Sequence, residues 1–141
     1  MTVLRTAALL AGLCLLAAPV AARDSLFVTV TSGDPQTQAM AMVLSQQALQ
    51  RQTPVRILLC GPGGDLARKD YQGPALKPSG RTPQQMLQGL IQAGAHAELC
   101  ALNLPNSDGL TAADLIDGVT PVTPPVIGEH MDRPDVRYLG F

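Results

Sequence analysis

Val55 to Cys60 reads VRILLC, apolar at every position except Arg56. A run like this, stopped by the turn Gly61-Pro62-Gly63-Gly64, predicts a strand covered on both faces, the usual condition of strands in a parallel sheet. Leu26 to Thr31, LFVTVT, has the same branched and aromatic character and predicts a second such strand. Parallel neighbours cannot be joined by a tight hairpin and need a crossover of a dozen or more residues. The chain supplies one. Asp34 is placed to cap a helix, Pro35 suits its first position, and the helical segment runs to about Arg51. Met40, Val43, Leu44 and Ala48 recur at helical spacing and predict its buried face.

The alternation continues. Gly61 to Arg81 is rich in glycine and proline and predicts an irregular connection, with room for a helical turn near Asp65 to Asp70. Thr82 and Pro83 open a second helix carrying Met86, Leu87, Leu90 and Ile91, and Gly94 ends it. Ala97 to Leu104 predicts a third strand. Thr111 and Asp114 resemble a capping box opening a short helix with Leu115, Ile116 and Val119. Pro121, Pro124 and Pro125 break up the next stretch. A last helical turn is expected near Val126 to Met131 and a final strand at Val136 to Phe141. Strand and helix in strict alternation imply an α/β fold: a single compact domain with an open, mostly parallel sheet flanked by helices.

The first residues stand apart from this pattern. Met1 to Ala22 has a cationic start at Arg5, an apolar stretch from Ala7 to Ala18, and small residues at Val20 and Ala22. That is the layout of a secretory signal peptide, expected to be cut after Ala22, which leaves 23–141 as the α/β domain in a periplasmic or secreted setting. Leu13 before Cys14 argues against lipidation. The remaining chain carries a net charge of −2, nine basic against eleven acidic side chains. With no basic run and few aromatics it is a poor candidate for nucleic acid. No later segment is apolar for long enough to cross a membrane.

Cys60 and Cys100 are the two cysteines outside the leader, in a compartment that permits disulfides. In an open parallel sheet, chemistry gathers at the carboxyl ends of the strands. Cys60 closes the second strand and Cys100 lies in the second half of the third. Cys100 reads either as a nucleophilic thiol, reactive as its thiolate, or as a small core residue. A helix N-terminus near Thr111 would favour the thiolate. A bridge to Cys60 requires adjacent strands, and local patterning does not fix strand order. A structural staple, a redox pair and two separate thiols all remain open. The turn Gly61 to Gly64 lacks the spacing of a nucleotide fingerprint and reads first as a source of positive φ. No cofactor is therefore expected. His96, His130 and Met131 would have to join the cysteines to hold a soft metal, and the spacing of a metal motif is absent.

The segment AELCALNLPNSDGLTAADLIDGV, Ala97 to Val119, resembles the cysteine region of the DsrE/DsrF/TusD-like sulfur-transfer proteins. Cys100, Gly109, Leu110, Asp117, Gly118 and Val119 carry the likeness, together with the opening FVTVTSGD and the glycine-rich loop after the second strand. The resemblance implies a compact α/β fold assembled as a homo-oligomer, a trimer or hexamer. It also implies a cysteine, here Cys100, that accepts sulfur as a persulfide from a donor and passes it to an acceptor protein. The leading expectation adds Cys60 as its resolving or disulfide partner. Active members often have basic residues before the glycine, where this chain has Asn106-Ser107-Asp108. The competing expectations are a non-enzymatic binding or assembly module held by a Cys60–Cys100 disulfide, and a soft-metal-binding protein.

Overall fold

The computed structural model describes residues 24–141, so the expected signal peptide, Met1 to Ala22, lies outside the described residues. Five strands form one sheet: β1 (Ser25–Val30), β2 (Val55–Leu59), β3 (His96–Cys100), β4 (Val119–Val122) and β5 (Val136–Gly140). All pair in parallel, in the order β4-β3-β2-β1-β5. Three helices join them: α1 (Pro35–Gln50) between β1 and β2, α2 (Pro83–Gln92) between β2 and β3, and α3 (Pro124–Met131) between β4 and β5. The open parallel α/β domain expected from the alternating pattern is the fold found.

Strand order decides which helix covers which face. From β1 to β4 the chain steps in one direction, and from β4 to β5 it jumps back past β1. Right-handed crossovers put helices from opposite steps on opposite faces. Leu26, Val28, Val30, Val55, Ile57, Leu59, Ala97 and Leu99 point to the face covered by α1 and α2, where Ala41, Met42, Leu87 and Leu90 meet them. Phe27, Leu58, Val122 and Val136 alternate onto the other face, under Ile127 of α3. The sheet is thus buried on both sides, as its apolar runs required.

Three expectations need correction. The buried face of α1 is Gln38, Ala41, Met42 and Ser45, while Met40, Val43 and Leu44 are 53%, 44% and 38% exposed. Ala41 and Ser45 are small enough to bring the helix close to the sheet. Ser45 Oγ donates to Ala41 O at 2.7 Å and Gln38 Nε2 to Ser32 O at 2.9 Å, so polar side chains occupy buried sites that periodicity reserved for apolar ones. Next, Val119 begins β4, an additional strand, and does not end a helix. Pro121 sits inside that strand because β4 is an edge, where a missing N–H removes no ladder bond. Last, Thr111 and Asp114 do form the capping box, but they open only a three-residue 3-10 turn, Ala112–Asp114. No helix macrodipole issues from it toward Cys100.

His130, at the end of α3, is 9% exposed, and its ring meets Phe27 edge-on with centroids 5.2 Å apart. Its Nε2 is buried without a hydrogen-bond partner. Burial, with the charges of Arg56 and Arg133, lowers its pKa, against smaller opposing effects of Glu98 and Asp135. The unfolded chain therefore binds this proton more readily. Stability should be intact above the ordinary histidine value near 6.5 and decline as pH falls below it. Urea melts at pH 7.5 and 5.5 check this. His130→Phe should lose the part of the decline that begins near neutrality, and an unchanged profile would assign it to other groups.

Candidate functional site

The carboxyl edge of the sheet gathers the ends of β1, β2 and β3. Leu59 pairs with Leu99 across β2 and β3, so the next residues in register are Cys60 and Cys100. Both are half-buried free thiols packed against the α3-covered face, beside Phe27, Leu58 and Val122. Neighbouring strands lie about 4.8 Å apart. That separation falls within the Cα range a disulfide needs, about 4.4–6.8 Å. The bridge left open by the sequence is therefore sterically available and is not formed here. Burial, followed by a hydrogen bond and charge interaction with Cys100, pushes the Cys60 thiol up to about 12. Cys60 keeps its proton at any ordinary pH. The pair is thus asymmetric, with Cys60 the sulfur held in its protonated form.

The loop after Cys60 is a 3-10 helix, Gly61–Ala67, in place of the later turn expected near Asp65. It packs back over the end of β1. Cys60 N donates to Val30 O at 3.0 Å and Gly63 N to Thr31 O at 3.3 Å. A Cβ on Gly63 would overlap Val30 O, and it would fall 2.7 Å from Val30 C. These are backbone atoms of a central strand and cannot swing aside. The glycine is there for close approach to β1. Gly63→Ala should lower the unfolding free energy by about 2 kcal/mol, read from urea melts. A neutral outcome would mean that the loop is not seated as described.

Asn103 is the residue sequence reasoning missed. Its Oδ1 accepts from Gly61 N at 3.2 Å and its Nδ2 donates to Gly61 O at 2.9 Å. The two loops after the two cysteines are thereby tied to each other. The contact spans 42 positions, and nothing in the local sequence signals it. Asn103→Ala should cost about 1 kcal/mol and speed alkylation of both thiols in the native state. Unchanged alkylation would show that the tie does not hold the pair.

The structure does not bring the other candidate ligands to the thiols. His96 begins β3, about 13 Å of strand from Cys100, and its Nε2 lies 3.0 Å from Glu98 Oε1. His130 meets Phe27 edge-on, and Met131 is 51% exposed. Among the described residues, no group of three or more histidine, cysteine or acidic side chains converges as a metal site.

Fold and site together define a small α/β protein with a paired dithiol at the carboxyl edge of a parallel sheet. Comparison with solved structures places that architecture among known ones. The chain superposes on the ychN protein from E. coli with a TM-score of 0.61 at 21% identity, over 83% of this chain and 99% of that one. It superposes equally, with a TM-score of 0.61 at 15% identity, on MTH1491 from Methanobacterium thermoautotrophicum, described as a protein of unknown function, over 84% of this chain and 100% of that one. The likeness is one of fold: a single α/β domain with a parallel sheet flanked by helices. No family model matches the chain. No curated protein matches it either.

Proposed function

We propose that this protein is an exported DsrE-like sulfur acceptor in which Cys100 takes sulfane sulfur from a donor as a persulfide. The observation that carries the reading is the in-register pair at the ends of β2 and β3, with a protonated Cys60 set against Cys100. In the reaction, the Cys100 thiolate attacks the outer, sulfane sulfur of a donor persulfide. The S–S bond of the donor breaks, the donor leaves as a thiolate, and Cys100 holds the sulfur as its own persulfide. Cys60 stands beside it as resolving partner. Two further parts of the reading rest on separate features. Export is supported by the leader-like Met1 to Ala22. Self-assembly is supported by the apolar stripe of Met40, Val43 and Leu44 left uncovered on the outside of α1.

Loading is tested in the Cys60→Ser variant, where a persulfide on Cys100 has no neighbouring thiol. Treatment with glutathione persulfide should add about 32 Da, mapped to the peptide that contains Cys100. No gain in mass, or a glutathionyl adduct in its place, would remove the reading.

A further inference from the structure

We infer that the sulfur taken up by Cys100 is discharged as hydrogen sulfide, with Cys60 as the attacking thiol and a Cys60–Cys100 disulfide as the second product. The inference rests on the reading that Cys100 accepts sulfane sulfur, and concerns where that sulfur goes next.

Placement of the second thiol is the starting observation. A carrier that passes sulfane sulfur intact to another protein must keep other thiols away from its persulfide, because any thiol within reach attacks the inner sulfur and expels the outer one. This chain does the reverse. Cys60 and Cys100 occupy adjacent register positions and point to the same face, close enough that Cys100 shifts the Cys60 thiol. Neither can drift away. β2 is held between β1 and β3, and β3 between β2 and β4. Cys60 N is tied to Val30 O, and Asn103 joins the two adjoining loops at Gly61. The persulfide would therefore form in contact with a thiol that the fold keeps in place.

The step balances within the protein. Cys60–SH meets Cys100–S–S⁻. The Cys60 sulfur bonds to the inner Cys100 sulfur, the bond from that sulfur to the outer one breaks, and the Cys60 proton leaves with the outer sulfur as HS⁻. One sulfur is reduced by two electrons, and two thiol sulfurs become a disulfide. Proton transfer from Cys60 to the outer sulfur accompanies the attack, so the Cys60 nucleophile forms as the leaving sulfur is protonated. The protein ends oxidised. A second reaction, thiol–disulfide exchange with a reducing dithiol protein, must restore it before another turnover. The chain thus stands between a reaction that supplies a persulfide or polysulfide and one that consumes sulfide, with a dithiol reductase as obligatory partner.

A single-turnover experiment tests this. Fully reduced protein, freed of reductant and kept anaerobic, is mixed with one equivalent of glutathione persulfide. Released sulfide is trapped with a bimane reagent and the intact mass is recorded. The wild type should release one equivalent of sulfide above the donor blank and end two hydrogens lighter, with Cys60 and Cys100 joined in the peptide map. Cys60→Ser should hold the added sulfur and release sulfide only at the blank level; should it not fold, Cys60→Ala takes its place. A wild type that stays loaded and releases no sulfide overturns the inference and leaves Cys100 a carrier. Sulfide released equally by the Cys60 variant overturns it too. If neither protein gains sulfur nor releases sulfide, the acceptor reading itself falls and the inference goes with it.

Discussion

Replacing Cys100 with serine should reduce sulfur uptake from glutathione persulfide to the rate of the donor alone, while Cys60→Ser should still load. The two cysteines share one neighbourhood, so the asymmetry is the informative part. Sulfur is captured by a thiolate. A serine hydroxyl stays protonated at working pH and offers no comparable nucleophile. Cys60 is a poor substitute in capture from an external donor, because burial and the Cys100 interaction hold its thiol up at about 12. Its attack is confined to a persulfide held next to it on Cys100. Removing Cys100 takes away that interaction but leaves the larger effect, burial, in place. Donor consumption, tracked with each single variant and the double variant, checks this directly. Undiminished uptake by Cys100→Ser would make Cys60 the nucleophile or place the chemistry elsewhere. Uptake lost equally in both variants would show that the pair acts only as a unit.

The largest expected effect on stability comes from a different pair on the same sheet face. Arg56 Nε and Nη2 donate to Glu98 Oε2 and Oε1 at 2.7 and 2.9 Å, a two-pronged ion pair across β2 and β3. The two side chains are only 16% and 7% exposed. A buried pair of this kind adds little over a well-packed apolar pair, but deleting one partner strands the other charge. Arg56→Met should lower the unfolding free energy by about 3 kcal/mol, and Arg56→Met with Glu98→Leu should recover most of it. Chemical denaturation of the two variants measures both effects. A cost below about 1 kcal/mol for the single variant would place the pair with ordinary surface ion pairs.

The same geometry sets a pH dependence. Burial pushes the Glu98 carboxyl up, but its bonds with Arg56 and His96 outweigh this and hold it below its ordinary value of 4.5. The native state thus binds the proton less readily than the unfolded chain. The contribution is fully present above about pH 4.5 and is lost as pH falls through the native value. Arg56→Met should shrink that acid-induced loss along with the stability, leaving only what His96 contributes.

Much of this molecule was legible one segment at a time. Val55 to Leu59 and Leu26 to Val30 declared themselves as doubly covered strands through their unbroken apolar runs. Asp34-Pro35 and Thr82-Pro83 marked helix starts: the Asp34 side chain accepts from Thr37 N at 2.8 Å, and Thr82 forms a full capping box with Gln85. These signals involve neighbours within four residues, so they survive without knowledge of the fold. The buried face of α1 did not, because Gln38 and Ser45 are buried by the bonds they make and not by their apolarity. Strand β4 was hidden by Pro121, which is acceptable only at a sheet edge, and which strand forms the edge is a property of the whole sheet.

The sequence alone determined that the chain would build a parallel α/β sheet, that Cys60 would close one strand and that Cys100 would lie in the second half of another, because local periodicity and capping are enough to show this. That β3 stops at Cys100 and not at Leu104 came from the fold. Only the tertiary structure decided that β2 and β3 are neighbours in a register that sets Cys60 opposite Cys100, with Asn103 and Glu98 completing contacts 42 residues away along the chain. Pairing between strands is chosen by how all the apolar faces are covered at once, and no single segment carries that information.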